Sequence, residues 1–146
     1  MRAFILAFLL CNIGLAQNIT VRVTDSKDGH PLSKRPVSAQ FLFENPTRTL
    51  PLVQSETNSN GEAQFSLPEP IPDHLNVRVT LDPEHWHCAC WLMTDTHKIV
   101  RTGIVQPAPS SSGKAPSNVA PKPGEIVFVA RELSFFERLL SPLVKD

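Results

Sequence analysis

Two histidines and two cysteines fall within six residues, in the segment HWHCAC at positions 85–90. Imidazole nitrogens and cysteine thiolates are the ligands that zinc and copper prefer in proteins. Neighbouring cysteines can also form a disulfide, and all four residues can belong to a partly buried strand. The segment therefore offers three alternatives, a metal site, a disulfide or a strand, and the element that carries it decides among them.

A strand over residues 86–93 would separate the four candidate ligands, because successive side chains of a strand point to opposite faces. One face would carry His85, His87, Ala89, Trp91 and Met93, and the other Trp86, Cys88, Cys90 and Leu92. The histidine pair and the cysteine pair then cannot converge on one tetrahedral ion. A metal site would need His85 and His87 together with a third group from elsewhere, and the remaining imidazoles are His30, His74 and His97.

The cysteine pair has its own alternatives. In a regular strand the Cα atoms of Cys88 and Cys90 would lie about 6.5–7 Å apart, and their Cβ atoms would be similarly far apart, whereas a disulfide wants Cβ atoms at roughly 3.8 Å. We therefore expect two buried thiols on the core side of the strand. A Cys88–Cys90 disulfide would require a bulge that bends the strand, and an intermolecular bridge or metal ligation are further alternatives.

The first 16 residues have the pattern of a secretory signal peptide. Arg2 is followed by an apolar run over residues 3–10 and by Gly14-Leu15-Ala16 at the expected cleavage site, and Cys11 leaves with the signal. We expect a secreted or periplasmic protein that is cleaved after Ala16. No later stretch approaches the roughly 20 apolar residues of a transmembrane helix.

Composition excludes two classes of partner. Removal of residues 1–16 from the 146-residue chain takes Arg2 from the 14 basic side chains and none of the 14 acidic ones, which leaves a net charge of −1. A protein that binds nucleic acid or an anionic membrane usually has a basic surface. We therefore expect neither nucleic acid nor an anionic membrane as a partner. The remaining length suits one domain with a real core.

Alternation of apolar and polar residues predicts an all-β fold. The segments NITVRVT (18–24), PVSAQFLF (36–43), EAQFSL (62–67) and LNVRVTL (75–81) each place apolar residues at every second position, the period of a half-buried strand. Residues 48–54, 86–93, 98–105 and 125–130 are further candidate strands, and 125–130 is apolar on both faces and therefore central. Seven or eight short strands between Pro, Gly and Asn turns predict an antiparallel sandwich.

Two segments near the C-terminus depart from the strand pattern. Residues 106–124 are rich in Pro, Ser and Gly and predict a long loop between the last two strands. Ser134 and Glu137 make a capping box, and an apolar stripe follows it at Phe136, Leu139, Leu140 and Leu143. We expect a sandwich over residues 17–105, the loop over 106–124, and a final strand plus a short amphipathic helix over 125–146 that packs on the sandwich.

The turns and strands of residues 18–82 resemble the carboxypeptidase regulatory-like domain. The matching segments are ITVRVTDSKDGHPL (19–32), PVSAQF (36–41), TNSNGEAQFSL (57–67) and LNVRVTL (75–81). One departure is Lys34-Arg35-Pro36, where the family usually has a small Gly-Ala pair. The resemblance implies an immunoglobulin-like or transthyretin-like sandwich without chemistry of its own. It further implies a non-catalytic module that binds a protein or another envelope component.

Two enzyme classes with related folds can be tested against the residues. Intradiol dioxygenases bind iron through two tyrosines and two histidines, and this chain contains no tyrosine. Hydroxyisourate hydrolases are similar at Asp25, Gly29 and Pro31 and at His85-Trp86-His87, but Arg22 replaces their first-strand histidine and their Tyr-Arg-Gly-Ser tail is missing. We therefore predict a binding module that needs no cofactor, with metal binding at His85 and His87 as the alternative and a hydrolase as a minor one.

Overall fold

Nine strands in two sheets and one short helix form the part of the chain that the computed structural model describes, residues 17–81, 89–107 and 119–131. One sheet has four strands in the order β5-β1-β9-β8, and the other has β3-β2-β6-β7 with β4 also paired to β2. The strands are β1 (Asn18–Asp25), β2 (Pro36–Glu44), β3 (Thr47–Thr49), β4 (Val53–Glu56), β5 (Glu62–Ser66), β6 (His74–Thr80), β7 (Ala89–Asp95), β8 (Ile104–Pro107) and β9 (Glu125–Ala130), and the helix is α1 (Thr96–Thr102).

The predicted alternation builds the core between the two sheets. Inward positions of β1, β2, β5 and β6 are at most 6% exposed, while the residues between them are partly or fully exposed except Thr24 near the end of β1, which is buried. The inward residues of β2, for example, are Val37, Ala39, Phe41 and Phe43. The all-β sandwich and the faces assigned to these four strands are therefore confirmed.

Strand β9 is central, as its two apolar faces predict, but its pairing is not antiparallel. It lies between β1 and β8, runs parallel to both, and has all six residues buried. Antiparallel pairing holds for the whole five-stranded sheet and for β1 with β5. The prediction of a purely antiparallel sandwich is therefore wrong for β9. The 17 residues between β8 and β9 are long enough for the crossover that a parallel pair requires.

Two of the strand predictions also need correction. Residues 48–54 contribute to two short strands, β3 and β4, so the described residues hold nine strands instead of seven or eight.

Residues 98–105, predicted as a strand, are mostly helical. Asp95 caps α1 by accepting hydrogen bonds from the N–H groups of His97 and Lys98. Ile99 of the helix is fully buried. Its β-branched residues imitate a strand, but the cap and the burial of a single face fix a helix.

The connection from β1 to β2 holds one end of the sandwich together. The N–H of Leu32 donates to the carbonyl of Val23, and the Thr57 hydroxyl donates to the carbonyl of Leu32 at 2.7 Å. The Arg35 guanidinium then donates to the carbonyl of Leu81, just beyond β6, at 2.8 Å. The ends of β1 and β6 and the start of β2 therefore lie at the same end of the sandwich.

Several sequence predictions lie outside the described residues. These are the signal peptide, the central part of the Pro/Ser-rich loop, and the C-terminal amphipathic helix. The helix α1 is only seven residues long, and the described segments contain no helix with the length and hydropathy of a membrane span.

Candidate functional site

A row of outward side chains crosses four strands of the five-stranded sheet. The register pairs Gln54 of β4 with Ser38 of β2, Ser38 with Arg78 of β6, and Arg78 with Trp91 of β7. The residues that flank Ser38 and Arg78 along their strands, such as Val77 and Val79, are buried in the core, and beside Trp91, Cys90 is buried and Leu92 packs against the core. The row therefore lies on the outer face of the sheet, and hydrogen-bonded strands fix its spacing.

This row forms the middle of a concave surface that we call the outer trough, defined by Pro36, Ser38, Leu52, Gln54, Glu56, Arg78, Thr80 and Trp91. A hollow of about 530 Å³ lies over Pro36, Ser38 and Thr80. A smaller hollow of about 170 Å³ adjoins it between Leu52 and Trp91. Small side chains form the floor and larger ones form the walls, and the volume is in the range of pockets that hold a small ligand or a few residues of a peptide.

Apolar side chains are unusually exposed around the trough. The exposed large hydrophobic residues of the described segments are Leu52 (52% exposed), Val53 (45%), Trp91 (62%) and Met93 (64%). Leu52 and Trp91 line the trough, and Met93 lies on the same outer face, two residues from Trp91. Val53 is paired with the buried Ala39 and therefore belongs to the opposite face. Several exposed apolar residues on one surface are typical of an interaction site, whereas single ones scattered over a protein are ordinary.

Arg78 supplies a cation in the centre of the trough. Its guanidinium carbon lies 5.5 Å from the centroid of the Trp91 ring, within the range of a cation–π contact. Its Nε atom is buried and has no hydrogen-bond acceptor, and none of the ion pairs in residues 17–81, 89–107 and 119–131 involves it. The trough therefore contains a positive charge that the described protein groups leave without an anion.

Acidic residues and a histidine lie at the far end of the same face. The Nε2 atom of His74 and the Oε1 atom of Glu44 are 2.6 Å apart, and Asp95 is paired with His74 in the sheet register. The hydrogen bond to Glu44 raises the pKa of His74 above its ordinary value, and the nearby charge of Asp73 and Asp95 acts in the same direction. Unlike Arg78, His74 is already matched by acidic groups.

The turn after β1 holds a third group of titratable side chains. Ligand atoms of Asp25, Asp28 and His30 lie within 4.8 Å of one another. The hydrogen bond from the His30 N–H, together with the contact between the His30 ring and Oδ1 at 2.6 Å, lowers the pKa of Asp28. Asp25 and Asp28 both accept backbone N–H groups of the turn, which is how aspartate usually stabilises a turn.

The residues singled out in HWHCAC are only partly described. His85, His87 and Cys88 lie outside the described residues, so the metal and disulfide predictions stay predictions. Cys90 is 2% exposed and Leu92 packs against the core, while Trp91 and Met93 point outward. The face assignment for the second half of the predicted strand is therefore confirmed.

The sequence did not predict the trough. Its walls come from β4, β6 and β7, which are separated by many residues in the sequence. One signal was present: two large apolar side chains, Trp91 and Met93, alternate on the face opposite Cys90 and Leu92. An outward strand face with such residues needs either a second layer or a partner.

Arg22, which stands where hydroxyisourate hydrolases have a histidine, is part of a structural ion pair. Its Nε donates to Glu125 Oε1 at 2.7 Å, and its Nη2 donates to the carbonyl of Ala120 at 3.2 Å. Glu125 is 6% exposed and also accepts the N–H of Lys122. Arg22 therefore holds the entry to β9.

Comparisons with known proteins give only distant structural likenesses. No protein-family profile matches the sequence, and no curated protein does. Among solved structures, a transthyretin from Sparus aurata is similar at 15% identity with a TM-score of 0.39; the match covers 55% of this chain and 76% of that chain. The sandwich assignment follows from the two sheets and their register.

Proposed function

We propose that this chain is a secreted, non-catalytic binding module of the cell envelope, and that it holds its partner in the outer trough. The observation that carries the proposal is the convergence of Leu52, Trp91 and an unmatched Arg78 on one concave, strand-built surface. Apolar walls with a few convergent polar groups are the usual make-up of a ligand site.

Two features of the sequence support the same role. The signal-peptide pattern of residues 1–16 supports secretion. The resemblance of residues 18–82 to carboxypeptidase regulatory-like domains supports a module that binds without catalysing a reaction, and the ion pair of Arg22 with Glu125 gives that position a structural role instead of a catalytic one.

The proposal can be tested with the mature chain, residues 17–146, on one array that carries both peptides and glycans. We expect at least one ligand class to be retained by the wild type and lost by Trp91→Ala. Val53→Ala is the matched control, because Val53 is also an exposed apolar residue but does not line the trough. Circular dichroism checks that both variants are folded. Identical binding patterns for the wild type and Trp91→Ala would refute the trough as the binding surface.

The alternative contact surface is the Pro/Ser-rich loop, and a replacement of equal length separates the two. A Gly-Ser segment in place of residues 108–118 keeps the crossover between the parallel strands β8 and β9 and should leave the Trp91-dependent ligand bound. If the replacement abolishes binding and Trp91→Ala does not, recognition belongs to the loop and the trough assignment is wrong.

A second candidate function is zinc or copper binding that includes His85 and His87. Among the described histidines that could supply a third ligand, His30 has its Nδ1 atom 2.6 Å from Asp28 Oδ1. Metal-ligating histidines usually direct their other ring nitrogen to a carboxylate in this way. Elemental analysis of tag-free protein tests the idea: stoichiometric metal that falls in both His87→Ala and His30→Ala supports it, and substoichiometric metal that neither change affects refutes it.

A further inference from the structure

We infer that the outer trough selects an extended peptide of about four residues, with a carboxylate at one end, a basic group at the other and an apolar side chain between them. This inference rests on the proposed function, since it names the ligand of the same surface. It follows from the two charges of the trough, from their separation and from the side chains between them.

The carboxylate would pair with Arg78. Its guanidinium lies 5.5 Å from the Trp91 ring centroid, and it forms no ion pair in the described part of the structure. A planar guanidinium held by an aromatic ring presents its N–H groups in the fixed arrangement that a carboxylate accepts through two oxygens. A neutral ligand would leave this cation unmatched.

The basic group would lie at Glu56, at the opposite corner of the trough. Glu56 is exposed, and it takes part in no hydrogen bond or ion pair given by the described part of the structure. The register places it beside Pro36, one row beyond Ser38 and two strands away from Arg78. Glu56 and Arg78 are two strand spacings apart across the sheet and two residues apart along the strands, which together separate their backbone positions by about 12 Å. An extended peptide covers that distance in about four residues.

Aliphatic side chains around the trough favour a peptide over a glycan. Leu52 lines both hollows, and Met93 lies on the same outer face beside Trp91. A Leu or Val side chain of a peptide would gain from contact with these groups, whereas the hydroxyl groups of a sugar would lose water there. Ser38 and Thr80 can bond to the peptide backbone along the floor.

The test measures binding of Ac-Lys-Ala-Leu-Glu-NH2 to mature protein that carries Trp86→Phe, so that Trp91 fluorescence is the signal. Replacement of Glu by Gln in the peptide should weaken binding about tenfold, the range expected for a hydrogen bond to a charged group. The same replacement should have no further effect in Arg78→Gln. Replacement of Lys by Gln should lose its effect in Glu56→Gln. Arg101→Gln, on the helix α1, is the matched control and should behave as the wild type.

The outcomes separate this inference from the proposed function. Equal affinity for the Glu and Gln peptides would overturn the inference. If the array identifies a glycan that needs Trp91 while none of the peptides binds, the ligand class is wrong and the binding module stands. If nothing binds in a Trp91-dependent manner, both fall. Sedimentation that shows a Trp91-dependent dimer would make a second copy the occupant and would overturn the peptide.

Discussion

Gly103 fixes the return of the chain into the four-stranded sheet, and its replacement by alanine should be strongly destabilising. It follows α1 with φ 70° and ψ 172°, a region that is accessible almost exclusively to glycine. Its N–H donates to the carbonyl of Ile99 at 2.9 Å, and the N–H of Gly124 donates to the same oxygen at 2.9 Å. Gly103 therefore lies where the helix and the segment before β9 meet.

The magnitude comes from two contributions. Holding a residue with a Cβ atom in this backbone region costs about 1–3 kcal/mol. The added Cβ would also lie 2.2 Å from the carbonyl oxygen of Lys122, a backbone atom that cannot move without disturbing the hydrogen bond that it accepts from the N–H of Glu125. Loss of that bond adds about 1 kcal/mol. We expect Gly103→Ala to lower the free energy of unfolding by about 2–4 kcal/mol.

The assay is urea unfolding followed by circular dichroism, and Gly124→Ala is the matched control. Gly124 also has a positive φ, 78°, but its added Cβ would meet nothing nearer than the Asn18 carbonyl oxygen at 3.4 Å. The control should therefore lose only about 1–2 kcal/mol, from backbone strain alone. If the two variants lose the same stability, the close approach to Lys122 does not hold this segment, and the reasoning fails.

Three further substitutions test other parts of the structure by the same urea assay. Lys34 has φ 56°, so Lys34→Gly should stabilise the protein by up to about 1 kcal/mol, and a loss of stability would contradict the left-handed backbone there. Thr57→Val keeps the shape of a residue that is 3% exposed but removes its hydroxyl, which donates to the carbonyl of Leu32 and accepts the N–H of Arg35. The free energy of unfolding should fall by about 2–3 kcal/mol, and a fall below about 0.5 kcal/mol would contradict this role of the hydroxyl. The hydrogen bond to Glu44 raises the pKa of His74 in the folded protein above its ordinary value of 6.5. Protonated His74 therefore stabilises the fold fully at a pH below 6.5, and this contribution disappears as the pH rises through the higher pKa of the folded state. His74→Gln should remove this pH dependence, and its persistence in the variant would assign it to another group.

Local alternation was enough to predict which side chains of β1, β2, β5 and β6 face the core. The pattern depends only on burial of one sheet face, and the structure satisfies it residue by residue, from Ile19 and Val21 to Val77 and Val79. Pairing direction is different. An apolar run such as residues 125–130 has the same pattern whether its neighbours run parallel or antiparallel, so the direction of β9 could not be predicted from it.

The helix α1 was missed because its signals compete. Ile99 and Val100 favour a strand by propensity, whereas Asp95 and Gly103 mark the two ends of a helix. The segment is only seven residues long, too short for a helical period to show. Tertiary contact decides the outcome, because burial of Ile99 against the core stabilises a helix that propensity alone would not form.

The site was missed for a different reason: it is a row across strands instead of a segment along one. Gln54, Ser38, Arg78 and Trp91 become neighbours only through the register of three strand pairs. HWHCAC attracted attention because its residues are adjacent in the sequence. Of that segment the structure describes Ala89 and Cys90. Cys90 and Leu92 anchor β7 in the core and thereby hold Trp91 and Met93 outward.

A recognition surface on strands has a physical advantage over one on a loop. Ser38, Arg78 and Trp91 lie on strands whose backbone hydrogen bonds are already made, so a ligand does not need to order the backbone beneath it. A loop of Pro, Ser and Gly would lose conformational entropy of about 1–2 kcal/mol for each residue that binding fixes. The few contacts of a short peptide would offset little of this entropy loss. If the module binds a ligand of only about four residues, the rigid trough is therefore the surface on which that binding is feasible.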